Sequence, residues 1–484
     1  MNKILSINPA TGENQGEVTG NSESEVNAAC ANAGIFFKSL NLFPNKIQPN
    51  KALLLALADV LAEKAESIIP IIDSESALGV PRLTGETART VFQLRAQADL
   101  VDTDLLRRKL VDNADSKRVP PLSAQTRIEI AVGPVAVFAA SNFPLAFGIL
   151  GGDTASALAA GCPVVVKAHP AHPKSGVALA EVVSEAIKRA KVDSAWLQVL
   201  QGDGPEIGSW IVKHSEIAAV GFTGSRGGGL ALKKIADARE VPIPVFAEMS
   251  SVNPTFIAPH AGETRASEIG KNWAAILSAN AGQLCTKPGI VITSSKKIAD
   301  LISESATSAL RELSTPPLIS PRISNSYKKR LSELNAETGV KVSEIKPANE
   351  VGAFVSAAVI TISEDDVALN SKITEEIFGP AGVVLHVRDV AEFLNNFEGN
   401  LTTTVIMDSE DEEWFKSLMP TMVRNAGRIV FDKWPTGVSV GLATVHGGPY
   451  PSTTAPATTS VGYTAAWRFM RPVCFDGFPS KLLP

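Results

Sequence analysis

Residues 135–248 carry five short apolar runs separated by segments of helical length, and this alternation constrains the fold more than any other feature. Val135–Ala140 is apolar throughout, as a strand buried on both faces must be. Pro163–Lys167, Leu197–Leu200, Ala218–Thr223 and Pro244–Glu248 follow at intervals filled by helical stretches near Ser175–Lys191, from Pro205, and Gly227–Ala238. Strand and helix in regular turn predict a parallel α/β sheet with helices on its faces. Such sheets gather ligands at the carboxyl ends of their strands.

With 484 residues, the chain predicts more than one domain, at roughly 100–200 residues each. Helical spacing marks Ser22–Lys38, Pro49–Ser67 and Gly85–Val101. Asn8–Glu13 is a turn cluster, and Arg127–Val132 alternates with the period of a strand. After the turn Ser141–Pro144, a long small-residue helix is expected to about Ala160. A second unit starts near Met249, with a helix at Ser267–Ala281, a strand at Gly289–Thr293 and a helix at Ile298–Leu313. A net charge of −5 gives no electrostatic case for a nucleic-acid partner. No apolar run reaches the ~20 residues of a membrane helix. The four cysteines, Cys30, Cys162, Cys285 and Cys474, show neither disulfide-scaffold nor metal-ligand spacing, so a reducing, cytoplasmic setting without a metal is expected.

Several residues stand where chemistry is possible. Cys285, in Gly282-Gln283-Leu284-Cys285-Thr286, follows an apolar helix and a glycine turn, where a thiolate can be an exposed nucleophile. A single cysteine is more often a packed core thiol, so position alone leaves this open. Glu248 ends a predicted strand and suits a general base, or merely caps the strand. Asn142 sits in the turn after Val135–Ala140, where its amide can donate to an oxyanion or serve the turn. Gly221–Gly229 joins a strand to a helix start, so Gly224 and Ser225 suit a pyrophosphate. Gly202–Gly208 resembles the dinucleotide fingerprint, but its third glycine is one residue late and it reads as a structural turn. Lys167, at another strand end, is a candidate for ribose or phosphate contact.

Taken in order, Ser141–Pro144, Lys167, Gly221–Ser225, Glu248, Gly282–Cys285 and Glu376-Ile377-Phe378-Gly379-Pro380 resemble the aldehyde dehydrogenase superfamily over nearly the whole chain. The resemblance implies that Cys285 is the nucleophile, Glu248 activates the deacylating water, and Asn142 forms the oxyanion hole with the Cys285 N–H. It implies that Lys167, Gly224, Ser225, Glu376 and Phe378 meet an NAD(P) cofactor. His169 stands where many NAD-preferring members carry a Glu, so NADP is favoured over NAD. Met249–Pro254 departs from the common Leu-Gly-Gly.

The segments Ser141–Ala160, Glu248–Pro254 and His446–Pro451 are most similar to 2-oxoglutarate semialdehyde (2,5-dioxopentanoate) dehydrogenases and NADP-dependent fatty aldehyde dehydrogenases. His446 is a candidate active-site group or a packed histidine. Phe143, Arg89 and Gln93, with Arg95 beside them, are candidates for substrate contact, the polar ones for structural pairing otherwise. The expected activity is oxidation of an aldehyde to an acid, with 2-oxoglutarate semialdehyde as substrate. A broad or long-chain aldehyde dehydrogenase is the alternative; a CoA-acylating enzyme is disfavoured by Glu248, and a non-catalytic scaffold by the retention of Asn142, Glu248 and Cys285. The implied fold has a Rossmann-like cofactor domain (1–118 and 133–248), a parallel-sheet catalytic domain (249–440) and a small β oligomerisation element (119–132 and 460–484). Exposed strands in that element predict a homodimer or homotetramer.

Overall fold

The computed structural model describes residues 3–40, 49–347, 349–363 and 375–483. It is a mixed α/β fold built on two sheets of mainly parallel strands, as the alternation predicts. The first sheet has five strands in the spatial order Leu197–Leu200, Val164–Lys167, Val135–Phe138, Ala219–Thr223, Val245–Glu248, all parallel. Helices cover both faces. On one side Pro49–Ser76, Val80–Val101 and Pro173–Ala190 pack into a core with Leu57, Leu94, Val137 and Val164. On the other, Glu23–Ser39, Pro205–Lys213 and Arg226–Asp237 enclose Ala136, Ile211 and Val220. Strand order turns outward in both directions from Val135–Phe138, so the crevice at the carboxyl ends opens beside Lys167, Asn142 and Gly224.

The second sheet has seven strands, ordered Lys341–Ile345, Ala357–Ser363, Ala381–His386, Ile290–Thr293, Pro254–Ile257, Asn400–Ile406, Ala426–Phe431. Only the edge strand Lys341–Ile345 runs antiparallel to its neighbour. A three-stranded antiparallel sheet joins Leu110–Asp112, Gln125–Ala131 and Met470–Asp476. The turn at Asn8–Glu13 closes a small hairpin of Lys3–Ile7 and Asn14–Thr19.

Three local expectations need correction. The helix from Pro49 runs to Ser76, straight through Pro70, because Ile68, Ile69 and Ile72 keep its buried stripe going. The long helix to Ala160 shrinks to Gly152–Ala159. Residues 141–151 form turns instead, since the buried Glu86 carboxylate accepts the N–H groups of Leu145 and Ala146 at 2.8 and 2.9 Å. A carbon added at Gly148 would lie 1.8 Å from the Pro144 carbonyl oxygen, so this tight path tolerates no side chain there. Pro254–Ile257 is a central strand that the sequence reading missed; Pro254 is its first residue, where a missing N–H does little harm.

Candidate active site

The carboxyl ends of the five-stranded sheet meet the segments that lead into the seven-stranded one. Glu248 is the last residue of Val245–Glu248, and Cys285 lies five residues before Ile290–Thr293. Cys285 is half-buried, whereas Glu248 and His446 are buried. The Cys285 Sγ stands 3.3 Å from His446 Nε2, and that nitrogen is 2.9 Å from Glu248 Oε1. One ring hydrogen cannot point at both neighbours. Oε1 is therefore held by charge at close range, without an aligned hydrogen bond among the described residues. Glu248 Oε2 accepts a hydrogen bond from the Ser460 hydroxyl, while the Ser460 N–H donates to the His446 carbonyl at 2.8 Å. Thr459 Oγ1 accepts the His446 N–H at 2.8 Å and fixes the backbone of the triad.

Burial alone would push the His446 pKa down. The Glu248 charge and the Cys285 side chain outweigh it, and the pKa rises to about 10. Burial likewise pushes Glu248 up, but His446, the Ser460 hydroxyl and the more distant Arg468 bring it below its ordinary value.

Two buried side chains hold the segment around Cys285. Asn253 Nδ2 donates to the carbonyls of Cys285 and Lys287, at 2.8 and 3.0 Å. Lys287, 2 % exposed, donates from Nζ to the carbonyls of Ile377, Gly379 and Ala381, the last two at 2.9 Å. It ties the segment after Cys285 to the loop that carries Glu376 and Phe378. Burial lowers the Lys287 pKa to about 8 and raises that of Glu376 to about 7, each opposed by the charge of the other.

Asn142 is buried, and its Nδ2 donates to the Gln283 carbonyl at 3.0 Å, two residues before the sulfur in sequence. Its own carbonyl accepts Arg82 Nη2 at 2.6 Å, while Arg82 Nη1 reaches Asn280 Oδ1 at 2.8 Å. The Arg82 guanidinium lies 4.6 Å from the centre of the Phe143 ring, and Phe143 meets Phe147 edge to face. Arg89 stacks on Phe147 at 5.4 Å. Its Nε donates to Gln93 Oε1 at 3.2 Å, and Gln93 in turn donates to the Ala146 carbonyl. Gln93 thus orients Arg89 and is itself committed to the backbone. Arg89 Nη2 is buried without a hydrogen-bond partner among the described residues. Burial lowers the Arg89 pKa, while interaction with Cys285 and Glu86 raises it. Arg95 is elsewhere, paired with Asp59 at 2.9 Å near the surface.

At the end of Ala219–Thr223, Ser225 caps the helix Arg226–Asp237 by accepting the Gly228 N–H at 3.2 Å. A side chain at Gly224 would meet the Phe222 ring at 2.7 Å, and one at Gly227 would meet nothing, so the helix start faces open space. A cavity of about 390 Å³ opens there, lined by Arg226, Gly227, Ser250, Glu376, Phe397 and Asn400 among others. Lys167 and His169 lie at the end of Val164–Lys167. Burial lowers Lys167 to about 8, with Asp203 opposing. His169 is held well below its ordinary pKa by burial and by the neighbouring His172, Lys167 and Arg322, so it is neutral. Its Nδ1 accepts the Ala171 N–H at 3.1 Å.

Sequence reasoning missed Lys287, Asn253, Ser460, Arg82 and Arg428. Arg428 donates to the Gly437 and Pro435 carbonyls, and its charge too is felt at Cys285. A charged residue between the nucleophile and an apolar strand was the available signal for Lys287; the others carry none without the fold.

The aldehyde dehydrogenase family pattern matches residues 1–439. Alpha-ketoglutaric semialdehyde dehydrogenase 2 of Azospirillum brasilense is 38% identical over 466 residues, covering 96% of this chain and 88% of its own. Alpha-ketoglutaric semialdehyde dehydrogenase of Acinetobacter baylyi is 39% identical, over 85% of this chain and 78% of its own. Among solved structures, glyceraldehyde-3-phosphate dehydrogenase of Methanocaldococcus jannaschii complexed with NADP superposes with a TM-score of 0.81 at 19% identity, covering 98% of both chains.

Proposed function

The chain belongs to the aldehyde dehydrogenase family and is an NAD(P)-dependent aldehyde dehydrogenase, and we propose that its substrate is 2-oxoglutarate semialdehyde, oxidised to 2-oxoglutarate with NADP preferred. The observation that carries the substrate is the buried Arg89 Nη2 without a partner, on a guanidinium whose charge reaches the nucleophile. Glu86 also feels that charge, but its Oε1 accepts two backbone N–H groups and Arg82 stands 3.7 Å from its Oε2. A buried cation left short of acceptors favours a substrate that brings a carboxylate.

We read the body around the five-stranded sheet (1–118 and 133–248) as the cofactor domain, and the seven-stranded body (249–440) as the catalytic domain. Segments 119–132 and 460–484 are read as the oligomerisation element. The neighbouring strand Leu110–Asp112, which pairs with this element's Gln125–Ala131, is exposed at Leu110 and Val111, which suits a second copy of this chain.

In the proposed mechanism, His446 holds its proton at Nε2 against the sulfur and the Glu248 carboxylate. With His446 facing it, the Cys285 sulfur attacks the aldehyde carbon. The second N–H of the Asn142 amide and the Cys285 N–H receive the oxyanion. A nicotinamide cofactor held at the helix start by Ser225 and at Glu376 would supply the acceptor for the hydride of the aldehyde carbon. Cys285 then carries a thioester. Glu248 Oε1, the carboxylate oxygen without an aligned hydrogen bond, takes a proton from the water that hydrolyses it.

The residues present fit such a cofactor. The helix that starts at Ser225 turns its positive end toward the open cavity, with the Arg226 and Gly228 N–H groups held by the Ser250 and Ser225 hydroxyls, and Glu376 lines the cavity as an acceptor for ribose hydroxyls. With no acid at His169 to repel a 2′-phosphate, and with Lys167 and the Arg322 charge nearby, NADP is favoured.

Arg89→Met is expected to raise KM for the semialdehyde roughly 10–100-fold, the loss of a charge-assisted hydrogen bond of about 1.5–3 kcal/mol. A neutral aldehyde of equal length should change little. Equal losses on both substrates would assign Arg89 to structure and remove the basis for the substrate. With the wild-type enzyme, kcat/KM should be higher for NADP than NAD, and Lys167→Met should narrow the gap. A strong preference for NAD would overturn the cofactor assignment.

A further inference from the structure

We propose that Cys285, His446 and Glu248 also form an inhibitory binding site for a divalent cation of the zinc class, which would hold the nucleophile reversibly. One sulfur, one imidazole nitrogen and one carboxylate oxygen converge here, all within 4.8 Å of one another. Two of the three separations are 3.3 and 2.9 Å. Tetrahedral zinc, with bonds of about 2.3 Å to sulfur and about 2.0–2.1 Å to nitrogen and oxygen, sets its ligands roughly 3.3–3.6 Å apart. Those two separations need to open by less than about half an ångström.

The cluster is also under-satisfied in a way that a cation corrects. His446 Nε2 has one hydrogen for two acceptors, and Glu248 Oε1 is buried without an aligned donor. A cation on Nε2, Oε1 and Sγ satisfies all three. Part of the surroundings that orient the ligands is in place: Ser460 holds Glu248 Oε2 and Thr459 holds the His446 backbone, while the His446 Nδ1 is buried without a hydrogen-bond partner among the described residues. Buried side chains close the His446 and Glu248 sides, while the half-exposed Cys285 leaves a fourth position for water. A thiolate, imidazole and carboxylate set favours zinc over magnesium or calcium, which prefer oxygen alone. Coordination releases the proton shared by Cys285 and His446 to solvent and changes no oxidation state. While the sulfur is bound to the cation it cannot form a thioester. Binding is independent of the function proposed above; only the inhibition rests on it.

Titration of the full chain with cobalt(II), in the absence of substrate, tests the site by spectrum. A near-ultraviolet thiolate-to-cobalt band should saturate at one equivalent and yield to zinc(II). Cys285→Ser should abolish it. Glu248→Gln and His446→Asn should each weaken cobalt binding at least about tenfold. Cys474→Ser, which removes the exposed thiol, should leave it unchanged. In parallel, zinc(II) should stop turnover of the wild-type enzyme over the range in which it displaces cobalt, and a chelator should restore it. A band that survives Cys285→Ser, or is lost with Cys474→Ser, overturns the site. So does unchanged affinity in both Glu248→Gln and His446→Asn. Binding without inhibition overturns the inhibitory role. An enzyme inactive on every aldehyde without added metal would instead defeat the proposed function and leave the spectral result standing.

Discussion

Glu248→Gln is expected to reduce steady aldehyde oxidation to a single burst of nicotinamide reduction, about one equivalent per site, with turnover lowered roughly 10²–10⁴-fold. The amide keeps the size of the side chain and its oxygen for the Ser460 hydroxyl, so the strand end is preserved. It cannot take a proton from water, and the thioester on Cys285 persists. In this chain the substitution reaches further, because Glu248 Oε1 is 2.9 Å from the His446 nitrogen that faces the sulfur. The carboxylate is the main influence that raises the His446 pKa to about 10. Without it, burial dominates and His446 loses its proton at lower pH. The alkaline limit of the burst rate should therefore move to lower pH in Glu248→Gln than in the wild type. Rapid-mixing absorbance at 340 nm, compared with steady turnover across pH, measures both effects. An absent burst would place the loss at acylation, and an unchanged steady rate would remove Glu248 from the chemistry.

The parts of this site that are strand ends were legible before the fold was known. Lys167, Glu248 and the Ser141–Pro144 turn each follow a run of apolar residues, and parallel sheets place ligands there. What the sequence hides is the convergence of distant segments. His446 and Ser460 come from an irregular stretch with no period to read, yet the close charge of His446 and the Ser460 hydroxyl hold Glu248. Arg82 and Glu86 are spaced as an ordinary helical ion pair. Their task shows only where their helix crosses the turn at Leu145, and the same contact explains why a small-residue stretch that looks helical is held as turns. Lys287 is the sharpest case. A lysine beside an apolar strand reads as a solvated edge, whereas three backbone carbonyls of a loop some 90 residues away make its burial tolerable.

These supports bear on Asn142, the proposed oxyanion donor. Asn142→Ala is expected to lower kcat about 10²–10³-fold, equivalent to roughly 2.7–4 kcal/mol of transition-state stabilisation. Because the contact strengthens as negative charge develops on oxygen, kcat and kcat/KM should fall together while KM changes little. The same substitution leaves the buried Gln283 carbonyl without its donor, at about 1–3 kcal/mol. A lower melting temperature is therefore expected as well and does not by itself account for the catalytic loss. Arg82→Met separates the two contributions. It keeps the amide but removes the guanidinium that holds the Asn142 carbonyl at 2.6 Å and Asn280 at 2.8 Å. If placement of the amide matters, this variant should lose activity in the same direction, by less than Asn142→Ala, with KM again little changed. Should Asn142→Ala retain near-wild-type kcat, or raise KM alone, the amide would be serving the loop at Gln283 and the oxyanion would have to be held by the backbone of Cys285 without it.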